Sequence, residues 1–165
     1  MNSRFFRNTS LGRIGIEDNG SAVVRLYLPG SHPDSTPAVE KETPLLKEAF
    51  RQLLEYADGK RKDFDLPLDP QGTAFLRKVW EELRRIPFGK TAAYKEIAER
   101  VGRPKACRAV GQANHRNPIA IFIPCHRVIA ADGSLGGYGG GLDMKQRLLD
   151  LETRLKKMSC LSDGA

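Results

Sequence analysis

TAAYKEIAERVGRPKACRAVGQANHRNP, residues 91–118, is the stretch on which the fold turns. Its pattern predicts a helix from near Thr91 to Val101, a break at Gly102, and a second helix from Pro104 that Asn117-Pro118 ends. Two short helices joined by a glycine-containing turn form the helix-turn-helix pattern. The second helix would carry Lys105, Arg108, Gln112 and Arg116 on one face, at spacings of three and four. Ala106, Ala109, Val110 and Ala113 fall on another. Small residues let a helix approach a duplex closely, and a basic row suits phosphates and shape more than a base-specific code. An ordinary packed helix, with alanines as good helix formers, fits the same residues.

Downstream, residues 117–128 read Asn-Pro-Ile-Ala-Ile-Phe-Ile-Pro-Cys-His-Arg-Val. We expect an apolar strand that delivers Cys125 to its end, with Pro124 fixing the approach and His126 and Arg127 following. A cysteine is nucleophilic as the thiolate, which a neighbouring base or positive charge favours. A buried, inert cysteine is the commoner fate of such a residue. Adjacent strand residues point to opposite faces, so a direct contact between Cys125 and His126 does not follow from their adjacency, and a bridging water is one candidate link. Gly136 to Gly141 flank Tyr138, and no Gly-Lys-Ser/Thr follows, so this is not a phosphate loop. A last helix is predicted from Leu142 to about Lys157, striped with Met144, Leu148, Leu151, Leu155 and Met158. Glu152 lies beside that stripe, and Ser159 to Ala165 reads as a frayed tail.

Upstream, Thr73 caps an amphipathic helix bearing Phe75, Leu76, Val79, Trp80 and Leu83, and Pro87-Phe88-Gly89 breaks it. Residues 67–72, with two prolines and a glycine, read as a linker. In the first half, Arg13–Glu17 and Ala22–Leu28 read as strands joined by an Asp18-Asn19-Gly20 turn. A loop from Pro29 to Pro44 follows. Thr43-Pro44 then starts a helix carrying Leu45, Leu46, Ala49, Phe50, Leu53 and Leu54, which Gly59 ends. Phe64–Leu68 is a candidate short strand. The expected architecture is therefore an α/β N-terminal domain, residues 1–66, with a small antiparallel sheet plus helix. After the linker comes a mostly α-helical, winged helix-turn-helix-like domain, residues 73–165.

Composition sets bounds on partners. The 165 residues carry 27 basic and 20 acidic side chains, a net charge of +7. Residues 1–70 contribute −1 and residues 71–165 contribute +8. From Arg100 to Arg127 there are six Arg or Lys and no carboxylate. Such asymmetry is the footprint of a nucleic-acid surface, or of a solvated basic face. The longest apolar run, Ile119 to Ile123, is far too short to span a membrane, and MNSRFFRNTS lacks an apolar signal core. Three cysteines without regular spacing argue against a disulfide framework and for a reducing compartment. The expected location is cytoplasmic, on the nucleoid in a bacterium or in the nucleus in a eukaryote.

The run Ile123-Pro124-Cys125-His126-Arg127-Val128 resembles the acceptor-site signature of the O6-alkylguanine-DNA alkyltransferases, the methylated-DNA–protein-cysteine methyltransferases. The similarity continues back through Asn117-Pro118 and Arg108-Ala109-Val110-Gly111 to Tyr94 and Pro87-Phe88-Gly89. It continues forward through Gly137-Tyr138-Gly139-Gly140-Gly141-Leu142 to Lys145 and Glu152. The second half is covered with order and spacing intact, and the first only loosely.

The resemblance implies a helix-turn-helix in the minor groove of double-stranded DNA, with alkylated guanine flipped into a pocket. O6-methylguanine is the chief lesion implied, with O4-methylthymine a further candidate. Arg108 would fill the gap left by the base, with Ala109, Lys105, Gln112 and Arg116 on the same DNA-contacting element. Tyr94 would meet the phosphate backbone and donate a hydrogen bond to the guanine. Cys125 would take the alkyl group, His126 would take the thiol proton through a water, and Glu152 would orient His126. Asn117 would act as a hinge. Pro124, Arg127, Val128, Tyr138, Gly139 and Lys145 would line the base pocket. Some members carry Ser where this chain has Gly139, which leaves the range of alkyl groups open.

A thioether gives up its thiolate poorly, so the protein is expected to be consumed, one molecule per lesion. No metal or organic cofactor is implied. Some relatives hold zinc in the N-terminal domain, but here that domain has no cysteine and only His32. A monomer is expected, with several copies along DNA as a variant of that state, and no membrane partner. Two other readings stay open: a non-catalytic relative that binds alkylated bases, against which Cys125 speaks, and a helix-turn-helix regulator, which leaves the Pro-Cys-His-Arg segment unexplained. The roles of Cys107 and Cys160 are open.

Overall fold

Hydrophobic face by hydrophobic face, the chain builds two units: Met1–Gly72 with Pro118–Phe122, and Thr73–Asn117 with Ile123–Ala165. The computed structural model describes residues 1–33 and 37–163, and side chains only as far as Lys157. Met158 and Cys160 therefore lie outside the described side chains. Among the described residues, no helix is long and apolar enough to cross a membrane.

The first unit is a four-stranded sheet, β1 (Asn2–Thr9), β2 (Gly12–Asp18), β3 (Val23–Tyr27) and β4 (Ala38–Glu40), in the order β3-β2-β1-β4. β2 is antiparallel to both β1 and β3, and β4 runs parallel to β1. The β2–β3 hairpin and its turn match the expectation from sequence. β1 and β4 were not expected. All but one of the β1 residues are partly exposed, so the strand lacks the in–out alternation that marks one. Glycine is required at Gly15: it sits opposite Phe6, and a Cβ there would lie 2.4 Å from the Phe6 ring.

Helix α1 (Pro44–Ala57) packs on this sheet through Leu46, Ala49, Phe50, Leu53 and Tyr56, the i, i+3, i+4 set of one apolar face. Thr43 accepts a hydrogen bond from the Leu46 N–H at 3.1 Å, a cap worth about 1 kcal/mol. The candidate strand Phe64–Leu68 makes only an isolated bridge, from Leu68 to Val23. Nearby, Val23 donates to the Pro67 carbonyl and Asp69 donates to Val23, both at 2.8 Å. Pro118–Phe122 joins the same unit. Leu26 donates to the Pro118 carbonyl at 2.9 Å, and the Phe122 ring lies edge-on to Phe64 at 4.7 Å.

The second unit holds α2 (Ala74–Arg84), β5 (Ala92–Ala93), α3 (Tyr94–Arg100), α4 (Cys107–His115), β6 (Val128–Ile129) and α5 (Leu142–Asp163). Thr73 caps α2 as expected, accepting from Leu76 at 3.2 Å. The turn after α3 closes as a Schellman motif. Gly102, at φ +81°, donates to Glu99, and Arg103 donates to Ala98. Trp80 on α2 donates its indole N–H to the Ala113 carbonyl at 2.8 Å and so ties α4 down.

Several boundaries differ from the sequence reading. Residues 92–93 pair with β6 as a two-residue parallel sheet, so α3 starts at Tyr94 rather than near Thr91. α4 starts at Cys107, which leaves Pro104 and Lys105 in the turn before it. α5 runs on to Asp163, past the expected fraying point. Cys125 does not end a strand: Cys125–Arg127 is one turn of 3-10 helix. The apolar run before it is broken at Ile121, a β-branched residue at φ +74°, so the backbone turns instead of extending.

Candidate active site

The 3-10 turn puts Cys125, His126 and Arg127 side by side, and all three are buried. Consecutive side chains on such a turn lie about 120° apart, so they fan out instead of alternating across a sheet. Asn117, just past the end of α4, donates to the Ile123 carbonyl at 2.8 Å and also hydrogen-bonds the Cys125 thiol. Asn114, one turn earlier, reaches the Cys125 carbonyl at 3.3 Å. Two asparagines from the end of α4 thus grip the segment that carries Cys125.

Burial pushes the Cys125 thiol up to about 11, despite the Asn117 hydrogen bond and the Lys145 charge that favour the thiolate. Cys125 therefore rests protonated and needs a base. His126 is fully buried, and burial lowers its pKa although the Glu152 contact works the other way. Its Nε2 lies 2.6 Å from Glu152 Oε2. Burial of Glu152 opposes its charge, but His126 and Arg127 overcome this and hold the carboxyl down at about 2. An ionised carboxylate accepts, so Nε2 carries the proton and donates it. The neutral imidazole is then bare at Nδ1, an atom with no hydrogen-bond partner among the described residues.

Arg127 is part of this network. Its Nε donates to Glu152 Oε1 at 2.8 Å and its Nη2 to Oε2 at 3.1 Å, while Nη1 reaches the Ile86 carbonyl at 2.7 Å. The Phe88 ring centroid lies 5.7 Å from the guanidinium. The Gly89 N–H completes the carboxylate's shell at 3.1 Å. Sequence reasoning placed Arg127 in a pocket wall and left Gly89 and Asn114 without roles. No side chain advertises a backbone donor. For Asn114 a signal was available: a polar residue on the apolar face shared by Val110 and Ala113.

The glycine-rich segment stands beside the cysteine. Lys145 on α5 is fully buried and donates to the carbonyls of Val128 (2.7 Å), Leu135 and Gly137 (3.2 Å). It clasps the loop from beneath, and burial lowers its pKa. Gly136, at φ +70°, leaves room for the Tyr94 hydroxyl, which a Cβ would approach to 2.6 Å. Tyr138 is nine-tenths buried, and its hydroxyl has no partner among the described residues. Gly139 is exposed, and a Cβ there would meet nothing within 4 Å. Pro124 and Val128 are buried on either side of the 3-10 turn.

On the outer surface, Arg108 and Gln112 are exposed on α4, Ala109 is half-buried, and Arg116 is exposed at its C-cap. Lys105 is exposed as well, but in the turn, so it does not extend the helical row. Tyr94 opens α3, half-buried against Gly136.

Residues 74–154 match the family model described as 6-O-methylguanine DNA methyltransferase, DNA binding domain. Residues 5–70 match the one described as 6-O-methylguanine DNA methyltransferase, ribonuclease-like domain. A constitutive methylated-DNA–protein-cysteine methyltransferase of Bacillus subtilis is 46% identical over 160 residues, 92% of this chain and 96% of that protein. A Mycobacterium leprae protein of the same name is 45% identical over 88% of each chain. The crystal structure of Mycobacterium tuberculosis OGT in complex with DNA superposes with a TM-score of 0.87 at 39% identity, covering 93% of this chain and 94% of that one.

Proposed function

The chain belongs to the methylated-DNA–protein-cysteine methyltransferase family, and from that premise we propose that it repairs DNA by direct reversal, moving the alkyl group of O6-alkylguanine onto Cys125 and keeping it. The observation that carries this reading is the buried thiol beside a buried imidazole whose Nε2 is held by Glu152 and whose Nδ1 has no hydrogen-bond partner among the described residues.

The damaged base is stacked inside the duplex and must come out, at a cost of about a few kcal/mol. α4 enters the minor groove, Arg108 fills the gap in the stack, and Gln112, Arg116 and Lys105 meet phosphates. Tyr94 contacts the backbone beside the flipped nucleotide and donates a hydrogen bond to guanine. Tyr138 and the glycine segment wall the pocket, with Lys145 holding that wall in place. His126 Nδ1 takes the thiol proton through a water. The thiolate attacks the alkyl carbon in line, so an S–C bond forms as the C–O6 bond breaks. Guanine leaves with the electron pair and regains a proton. O6-methylguanine is the chief substrate proposed, with O4-methylthymine as a second candidate.

The thioether product has no route back to the thiol, which makes the protein a single-use reagent. Titration with a molar excess of lesion-bearing duplex tests this. Repair should plateau at one lesion per protein molecule, and continued turnover past that ratio contradicts the reading.

A further inference from the structure

The carboxylate of Glu152 is saturated. Oε1 accepts from Arg127 Nε and the Gly89 N–H, and Oε2 accepts from His126 Nε2 and Arg127 Nη2. Only one of these donors belongs to the histidine. The arginine fork spans both oxygens, a bidentate geometry that fixes the plane of the carboxylate as well as its charge. The fork is itself immobilised by the Ile86 carbonyl and the Phe88 ring.

Consider a buried Glu152 paired with His126 alone. An uncompensated carboxylate in an apolar site draws a proton onto its neighbour, because a buried charge needs an opposite one. His126 would become imidazolium, protonated at both nitrogens, and Nδ1 would have nothing with which to accept the thiol proton. The permanent guanidinium charge removes that demand. We propose that Arg127 is a positioning residue for alkyl transfer, whose fork fixes Glu152 so that His126 rests as the neutral Nε2–H tautomer with Nδ1 open to the Cys125 proton. This rests on the reading of Cys125 and His126 given above.

The groups facing His126 are few. Glu152 on α5 favours its protonation, while Arg127 on the same 3-10 turn and Lys145 on α5 oppose it, as burial does. Cys125, its chain neighbour, and Tyr138, close to Cys125 and Glu152, are both held protonated by burial. Loss of the Arg127 fork therefore moves His126 in one direction, towards protonation.

Two measurements test this. In the unaltered protein, imidazole 15N shifts near neutral pH should show a protonated Nε2 and a bare Nδ1, whereas a doubly protonated ring overturns the proposal without any variant. In Arg127→Gln, which removes both the cation and the fork, the acid limb of the single-turnover rate should move up by about one pH unit, a roughly tenfold loss below the limb that recovers at higher pH. A folded variant with an unchanged tautomer and an unchanged limb overturns the proposal, whatever its absolute rate. His126→Gln separates the parent reading. If that change leaves the rate intact, the role of His126 as base fails, while the tautomer measurement still judges Arg127.

Discussion

Cys125 rests as a thiol because burial raises its pKa to about 11. Forming the thiolate at pH 7 then costs about 5 kcal/mol, which is the task the proposed mechanism assigns to His126. The carboxylate behind it can be probed through stability. Glu152 titrates at about 2 when folded against an ordinary 4.5, so its ionised form stabilises the fold above about 4.5, and this is lost as pH falls towards 2. The shift corresponds to about 3 kcal/mol. His126, held below its ordinary 6.5, adds a loss of the same sign that begins as pH drops under 6.5. Urea unfolding across this range should show falling stability, and Glu152→Gln should flatten the part below about 4.5. The same change strands the Arg127 guanidinium without its partner, so it should cost about 3–5 kcal/mol at neutral pH. A variant as stable as the parent, with the same acid limb, would contradict the described network. In the sequence, Glu152 stood out only through the resemblance. Spacing alone put it beside an apolar stripe, and four converging donors from two other chain segments cannot be read from spacing.

At the scale of elements, α4 and the glycine segment carry the account. Arg108→Ala should impair transfer from duplex DNA by about tenfold or more while sparing transfer from the free O6-alkylated base, because only the duplex has a stack to hold open. Equal losses on both would sink the stack-filling role. The glycines divide into two kinds. Gly136→Ala forces a left-handed backbone on alanine and pushes a Cβ to within 2.6 Å of the Tyr94 hydroxyl, so it should destabilise by about 1 kcal/mol or more and slow transfer. Gly139→Ser meets open space and should change stability by under about 0.5 kcal/mol, with any effect confined to which alkyl groups react. Thermal melts and rates with methyl and bulkier alkyl guanines check both. Elements with local signals were legible in the sequence. Thr43 and Thr73 announced α1 and α2, and Gly102 announced the turn before α4. β1 was hidden because neither of its faces is fully buried. The 3-10 turn at Cys125 was hidden because a short apolar run reads equally as strand, and the left-handed Ile121 that breaks it has no composition signal.

For the whole molecule, the charge division is the feature that sequence and structure share. The near-neutral residues 1–70 build the sheet unit, while the +8 of residues 71–165 belongs to the unit that holds α4 and Cys125. The one exchange between the chain halves is Pro118–Phe122, which belongs to the sheet unit although it lies between Asn117 and the turn that carries Cys125. Sequence order gave no hint of it, since the pairing with Leu26 joins residues some ninety positions apart. The proposed acceptor role of Cys125 can be measured directly. Mix the protein with a duplex bearing a single O6-methylguanine, weigh the intact protein, and map the modified peptide. The protein should gain one methyl group, located on Cys125, with the guanine restored in the DNA. An unmodified protein that stays bound to the lesion, or a methyl group on Cys107 or Cys160, would contradict that role.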